Sequence, residues 1–328
     1  MADLFKEKKE KGLSILKASA SSVSGEEMSK ELSVSRAAVW KYIEALRKDG
    51  YEIEGISNQG YLLKSSPDLL LPMELKENLS SGYPGEIYWQ RDIGSTNDEA
   101  KRLARLGTPG YSLVVAEEQA GGRGRRGRSW QSPAGGIWFS LILRPDFGIS
   151  QASRISIFTA VVLAEAIALA CGMKTGIKWP NDIFLGSKKV GGILIELSAE
   201  LERVNFIVVG IGINANFAPD HLDPEVQETA TTLLEVLGRP IDRKELLAKV
   251  ANRFYEDLES ALSDRYERYM IRWRELSIVL GKSVRISEGD KIFSGKAIDI
   301  AENGALIVDL DSGDRRLFDS GEVTLRLR

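Results

Sequence analysis

The sequence predicts an α+β multidomain protein of three modules, and three observations carry that prediction. Residues 1–64 run as helix, short turn, helix and then a small hairpin. Residues 65–276 mix long amphipathic helices with strands, two of them joined by Gly186-Ser187, so the central α/β domain has a mixed, partly antiparallel sheet. Residues 277–328 switch to short alternating strands with turns at Glu288-Gly289-Asp290, Glu302-Asn303-Gly304 and Asp311-Ser312-Gly313, which fits a small β-barrel.

In the first module Leu13–Lys17 continues a short helix, and Gly25–Leu32 forms a second with Met28 and Leu32 one turn apart. Ser33-Val34 turns the chain, and Ser35 caps a third helix in which Val39, Ile43 and Leu46 recur at helical spacing until Asp49-Gly50. Tyr51–Leu63 alternates as a hairpin about Asn58-Gln59-Gly60. This is the winged helix-turn-helix pattern, whose third helix enters the major groove. Ala37 and Ala38 allow close approach, Arg36 and Lys41 suit phosphates, and Trp40 stands at the edge of the apolar stripe. The candidate DNA contacts are Gly25, Ser35, Arg36, Ala37, Trp40 and Lys41. Glu44 shares the outer face and opposes a phosphate, and the module's charges nearly balance, so a three-helix protein-interaction module is the alternative.

Ser65-Ser66-Pro67-Asp68 is a linker. Beyond it the expected strands are Glu86–Asp92, Leu113–Gln119, Ile137–Leu143, Gly176–Phe184, Lys189–Leu197 and Asn205–Ile213. The expected long helices are Asn97–Leu106, Ser150–Cys171 and Arg243–Leu262.

Composition narrows the chemistry. The chain has 328 residues, 43% of them hydrophobic, with 44 basic against 47 acidic side chains, so any polyanion must be met by a local patch. One cysteine, Cys171, rules out an internal disulfide and suits a reducing cytoplasm. Met1–Gly12 lacks an apolar signal core, and the longest apolar stretch, Ile155–Ala170, is interrupted by Thr159 and Glu165, so a soluble intracellular protein with no membrane partner is expected. The single histidine, His221, sits between prolines in a loop. It leaves no material for a zinc site, and no nucleophile elbow is present.

Gly121–Arg128 holds four glycines and four arginines, followed by Ser129-Trp130. Its bare N–H groups and cationic forks suit an anion. Gly122–Ser129 spells Gly-x-x-x-x-Gly-Arg-Ser, but a phosphate-binding loop of that type needs lysine in place of Arg128 and a helix afterwards. The following Gln131-Ser132-Pro133-Ala134-Gly135-Gly136 breaks helix. A minor-groove hook lacks its proline, and an arginine–glycine RNA tract would repeat. Three other segments carry chemistry. Gly94-Ser95-Thr96-Asn97-Asp98 places two hydroxyls and an amide at a helix start, where Ser95 with Asp98 also fits a capping box. Lys178-Trp179-Pro180-Asn181-Asp182 sets a polar pair within a strand, able to reach a nucleotide or its magnesium or to serve as a plain turn. Lys188-Lys189-Val190-Gly191-Gly192-Ile193 puts lysine before paired glycines, where a ligand can approach the backbone.

In order along the chain, Gly94–Asn97, Gly122–Arg128 with Trp130, Lys178–Asp182, Lys189 with Gly191–Leu194, and Gly210–Asn214 resemble the biotin protein ligases, in their bifunctional form that also represses the biotin operon. The resemblance spans essentially the whole chain and implies three domains. Residues 1–64 would bind DNA, 65–276 would form a class II synthetase-like catalytic domain for biotin and ATP, and 277–328 an SH3-like barrel. It implies that biotin's carboxylate attacks the α-phosphorus of ATP, and that a carboxylase carrier lysine then takes the biotinyl group. Arg123 and Lys189 would neutralise the carboxylate and α-phosphate as catalytic groups. Biotin would be held by Ser95, Thr96, Asn97, Gln119, Arg123, Gly124, Arg125, Lys189 and Gly192. The nucleotide would meet Arg125, Arg128, Trp130, Asn181, Asp182 and Asn214, with no resident metal and magnesium arriving with ATP. The Gly/Arg loop would close over the adenylate. Implied partners are a carboxylase carrier domain, operator DNA and a second copy of the chain in the adenylate-bound state. Ala215–Thr231 carries no readable motif. The rival readings are a non-catalytic sensor-regulator, against which Arg123 paired with Lys189 speaks, and a lipoate or octanoate ligase, against which Ser95-Thr96-Asn97 and the compact Gly/Arg loop speak.

Overall fold

A computed structural model describes residues 2–145, 153–200, 203–319 and 321–325, and its contacts separate Met1–Leu69 from Leu70–Arg328. The first unit holds helices α1 (Ala2–Ala18), α2 (Gly25–Leu32) and α3 (Arg36–Lys48), then antiparallel strands β1 (Glu52–Ile56) and β2 (Gly60–Ser65). Ser24 Oγ accepts from Glu27 N at 3.1 Å and Ser35 Oγ from Ala38 N at 3.3 Å, so both helices of the turn motif start on a hydroxyl cap. Ser33, with φ 52°, ends α2 in the left-handed region and turns the chain into α3. Leu13, Leu16, Met28, Leu32, Val39, Ile43 and Leu46 form the core, joined by Tyr42. The helix that Leu13–Lys17 was expected to continue is long, running over 17 residues from Ala2. The hairpin is locked to the turn that precedes α2: Val23 and Tyr61 exchange two backbone hydrogen bonds of 2.9 Å. A Cβ on Gly60 would lie 2.0 Å from Val23 O, so only glycine fits there.

The second unit is built on a seven-stranded sheet: β3 (Ile87–Ile93), β4 (Leu113–Gln119), β5 (Ile137–Leu143), β6 (Thr175–Lys178), β7 (Asp182–Leu185), β8 (Lys188–Glu200) and β9 (Arg203–Ile213). Its order is β3-β4-β5-β9-β8-β7-β6, with β3 and β4 parallel and every other pair antiparallel. The expected single strand Gly176–Phe184 is two strands, because the chain turns back at Trp179–Asn181 and pairs Lys178 with Asp182 in a hairpin. Its helices are α4 (Pro72–Lys76), α5 (Thr96–Arg105), α6 (Arg154–Cys171), α7 (Pro224–Gln227), α8 (Leu233–Leu237), α9 (Arg243–Leu262) and α10 (Tyr266–Leu276). The expected start of α6 at Ser150 lies outside the described residues.

Alternation along the strands sends one set of side chains to each face. Ile207, Val209, Ile211 and Ile213 of β9 join the main core beneath α6, α9 and α10, where Phe158 meets Phe254 and Tyr269 edge-on or tilted. Helix α6 is long and apolar enough to cross a membrane, but 67% of it is buried in this core, which identifies it as a core helix. On the opposite face Ala100, Leu103 and Ala104 of α5 cover Val114, Ile142, Phe206 and Val208. Beyond that small cluster the same face of β9 continues as Gly210 and Gly212, and the missing side chains open the site. A buried ion pair ties the sheet to α9. Arg243 Nη2 lies 3.1 Å from Glu117 Oε2, while Glu117 Oε1 accepts from Leu70 N and Trp89 Nε1 at 2.7 and 3.0 Å.

The chain ends in β10 (Ser283–Glu288), β11 (Lys291–Ile300), β12 (Leu306–Leu310), β13 (Arg315–Phe318) and β14 (Glu322–Leu325). They form an antiparallel sheet ordered β13-β12-β11-β10-β14, with Gly289, Gly304 and Gly313 at positive φ in the three expected turns. Among the described residues no ladder joins β13 to β14, so hydrogen bonding does not close this sheet into a barrel. The sheet belongs to the second unit, held there in part by Trp179 Nε1 donating to Gly304 O at 2.9 Å.

Candidate active site

One cavity collects most of the predicted residues, and a glycine-paved sheet face forms its floor. Gly210 sits opposite Ser140 and Leu194, and Gly212 sits opposite Trp138 and Gly192. A Cβ on Gly210 would fall 2.1 Å from Asn97 Oδ1, and one on Gly212 would fall 2.7 Å from Trp130 Nε1. The two glycines therefore admit an amide and an indole onto the sheet.

A polar chain crosses this floor. Ser140 Oγ lies 2.6 Å from Asn97 Oδ1 and 2.8 Å from Thr96 Oγ1, and its proton serves one of the two. Thr96 Oγ1 and N donate to Gln119 Oε1 at 3.1 and 2.8 Å, and Gln119 Nε2 donates to Ser132 Oγ at 2.8 Å. The capping-box reading of Ser95 and Asp98 is corrected here. Ser95 is the N-cap residue of α5 but makes no side-chain cap bond; Gln119 takes the Thr96 N–H instead, and Asp98 pairs with cations. The Ser95 hydroxyl is thereby left to line the cavity. Ser132 and Ser140, which no motif singled out, are what orient Gln119, Thr96 and Asn97.

The Gly/Arg loop closes on itself. Gly124 N donates to Arg128 O at 2.7 Å and Trp130 N to Gly122 O at 2.9 Å, with a single 3₁₀ turn at Arg125–Gly127. A Cβ on Gly122 would lie 2.2 Å from Trp130 O, so this glycine serves close approach. Three of the four arginines have partners: Arg123 grips Asp98, Arg126 donates to Ser287 O at 3.1 Å, and Arg128 grips Glu322 with both nitrogens. The Arg125 guanidinium has no hydrogen-bond or ion-pair partner among the described residues, its backbone oxygen alone accepting from Arg128 N at 3.3 Å. Burial, and next the nearby Arg126, hold its guanidinium below its ordinary pKa. It is a half-buried cation in the cavity wall, and the charge of Asp182, which lines the same cavity, acts on it in the opposite sense.

On the far wall Lys189 Nζ lies 2.6 Å from Asp182 Oδ1 and 4.7 Å from the centre of the Trp130 ring. Asn181 is held by Ile193 on both sides: its backbone oxygen accepts from Ile193 N at 3.0 Å and its side-chain amide donates to Ile193 O. Lys188 points elsewhere, to Gln227 O at 2.9 Å. The 215–231 segment explains why Lys189 faces inward: Lys189 N donates to Thr229 O and Thr231 N to Lys189 O, each at 2.9 Å. Phe217, Leu222 and Ala230 pack with Trp138 and Trp130 behind it. Asn214 does not line the cavity. It is buried with its Nδ2 on Thr231 O at 3.0 Å and its N on Val190 O at 2.8 Å, so it anchors that segment.

This geometry agrees with what the chain is similar to. The family described as biotin/lipoate A/B protein ligase matches residues 89–214, a helix-turn-helix domain matches 8–62, and the biotin protein ligase C-terminal domain matches 279–326. The bifunctional ligase/repressor BirA of Bacillus subtilis (strain 168) is 36% identical over 298 residues, covering 90% of this chain and 92% of that protein. The Escherichia coli (strain K12) protein of the same description is 32% identical, covering 92% of each. This chain belongs to the biotin protein ligase family, in its bifunctional ligase/repressor branch. Among solved structures, the Aquifex aeolicus biotin protein ligase in complex with biotin and ATP is 32% identical with a TM-score of 0.63, covering 74% of this chain and 98% of that one.

The ligase's helix-turn-helix unit presents the other predicted set. Ser35, the cap of α3, and Arg36, Ala37, Trp40 and Lys41 on it are exposed, and Trp40, placed by the pattern at the edge of the apolar stripe, is 54% exposed. Arg36 is paired with Glu26 at 3.3 Å. Gly25 starts α2 beside the Tyr61 ring, where a Cβ would still have ordinary contact at 3.7 Å. Among the described residues no group of three or more His, Cys, Asp or Glu is placed to hold a metal.

Proposed function

We propose that the cavity joins biotin to ATP and passes the biotinyl group to a lysine of a carboxylase carrier domain. The observation that carries this reading is that one cavity holds a neutral polar pocket at Ser95, Thr96 and Gln119 beside the cations Arg123, Arg125 and Lys189. A ureido ring needs donors and acceptors, whereas a carboxylate meeting a triphosphate needs positive charge set in advance.

A carboxylate oxygen of biotin attacks the α-phosphorus of ATP, the bond to the bridging oxygen breaks, and pyrophosphate leaves. Arg123 and Lys189 hold the carboxylate and α-phosphate, while Arg125 and Arg128 meet the remaining phosphates, with magnesium entering as part of Mg·ATP. Trp130 supports the adenine side, and Asn181 and Asp182 orient Lys189 and the nucleotide. The mixed anhydride is then attacked at its acyl carbon by the neutral carrier amine, AMP leaves, and the amine's second proton passes to solvent. Gly192 keeps the sheet low under the biotin tail. Incubation with biotin and Mg·ATP should yield biotinyl-adenylate and pyrophosphate in equal amounts; pyrophosphate appearing without biotin would refute the coupling.

The repressor half reads operator DNA through α3, with Trp40 and Ala37 toward bases and Arg36 and Lys41 toward phosphates. A homodimer in the adenylate-bound state is favoured by β8, where the ladder with β7 stops at Gly192 while β8 continues to Glu200 with Leu197 exposed. The single buried Cys171 suits a reducing cytoplasm.

A further inference from the structure

Arg123 sits in a ring of charges that no motif marks. Asp98 and Lys101 come from the first turns of α5, Glu196 from β8 and Arg123 from the loop. Arg123 grips Asp98 and its Nη2 lies 3.7 Å from Glu196 Oε2; Lys101 Nζ lies 3.0 Å from Asp98 Oδ1 and 2.8 Å from Glu196 Oε1. The four signs alternate and sum to zero. Glu196 has a second task, accepting from Asn97 Nδ2 at 2.7 Å, so the same carboxylate helps orient a side chain of the polar floor.

The charge count is what matters. Without Lys101, Arg123 would face two carboxylates with no other cation paired to them among the described residues, and its own protein would hold it against any incoming anion. With Lys101 shared between both acids, the guanidinium keeps charge and N–H donors for a ligand. Lys101 is only 21% exposed in its side chain and does not line the cavity, so it acts through Arg123. Burial pushes the Asp98 carboxyl up, but Lys101 and then Arg123 outweigh it and hold it below the usual range.

We propose that Lys101 is a positioning residue for ligation: by neutralising Asp98 and Glu196 it leaves the charge of Arg123 directed at the biotin carboxylate and α-phosphate. This rests on the role proposed for Arg123. The test is biotin- and ATP-dependent pyrophosphate exchange by the full chain, with KM and kcat resolved for Lys101→Met, Lys101→Arg, the double variant Lys101→Met with Asp98→Asn, and Arg123→Ala. Lys101→Met raises the KM for biotin about tenfold, Lys101→Arg stays near wild type, and the double variant, which loses one charge of each sign, regains most of the loss. A double variant as impaired as Lys101→Met, or Lys101→Met with unchanged KM, overturns the inference. If Arg123→Ala is itself unimpaired, the reading of Arg123 falls first; if it is impaired while Lys101→Met is not, only the role of Lys101 falls.

Discussion

Glu322, on the last described strand of the C-terminal sheet, grips Arg128 of the Gly/Arg loop through both carboxylate oxygens. With Arg126 on Ser287 O, this makes two points at which the C-terminal sheet holds the loop. The hydrogen bond from Arg128 is the largest cause holding the Glu322 carboxyl below the usual range. Its folded pKa is thus depressed, so the clasp contributes fully above the ordinary carboxylate range and is lost as pH falls through the lowered value. Hydrogen exchange of amides 122–128 should speed up in Glu322→Gln at neutral pH and in wild type only at acid pH. Equal protection in variant and wild type would remove Glu322 as the clasp.

Arg125 is the one loop arginine whose guanidinium lacks a hydrogen-bond or ion-pair partner among the described residues, which leaves it to hold the bound product. Arg125→Gly should still make biotinyl-adenylate but release it more readily, on the order of tenfold or more, because a charge-assisted contact to the biotinyl group is lost. Adenylate retention can be followed by rapid gel filtration, and equal retention in variant and wild type would exclude this role.

Lys189, aimed inward by its backbone exchange with Thr229 and Thr231, should be needed for the first half-reaction. Lys189→Ala is expected to lower adenylation by about 100-fold or more, as loss of a preorganised charge does, while leaving operator binding by residues 1–64 intact. Unimpaired adenylation would move the catalytic cation elsewhere.

Arg243→Met should destabilise the second unit by about 3–5 kcal/mol, since it leaves the buried Glu117 carboxylate without its charge partner. Denaturant unfolding followed by tryptophan fluorescence measures this; a loss under about 1 kcal/mol would mean that Leu70 N–H and Trp89 suffice for Glu117.

Lys41→Ala should weaken operator binding evenly across sequences and reduce the salt dependence of binding by about one phosphate contact. Binding titrations at several salt concentrations decide this, and an unchanged slope would take Lys41 off the phosphate backbone.

Strongly periodic segments were legible from the sequence. Strands Leu113–Gln119 and Ile137–Leu143 and helix Arg243–Leu262 have the bounds their patterns predict. Helix Tyr266–Leu276 was missed although Tyr266, Tyr269, Met270 and Trp273 form a buried stripe at helical spacing, because that stripe is mostly aromatic. In the site, motifs announced the residues that face the cavity, but not those that hold them. Ser140 acts only once β5 and α5 meet, and Ser132 only once its loop pairs with Gln119 of β4; Lys101 and Glu196 look like solvated charges until α5 and β8 bring them together. Asn214 shows the converse: its place at the end of Gly210–Asn214 suggested the nucleotide, yet the chain turns there and buries its amide against Thr231. Gly210 and Gly212 of β9 entered only through the family resemblance, although glycine alternating with isoleucine on a strand also marks one face for packing and the other for close approach.

The most direct measurement is the mass of a carboxylase carrier domain after incubation with this chain, biotin and Mg·ATP. The domain should gain one biotinyl group on a single lysine, with AMP and pyrophosphate released and no gain when ATP or biotin is omitted. A carrier of unchanged mass, with biotin still bound tightly by the chain, would contradict ligation and leave a sensor that regulates transcription without catalysing the reaction.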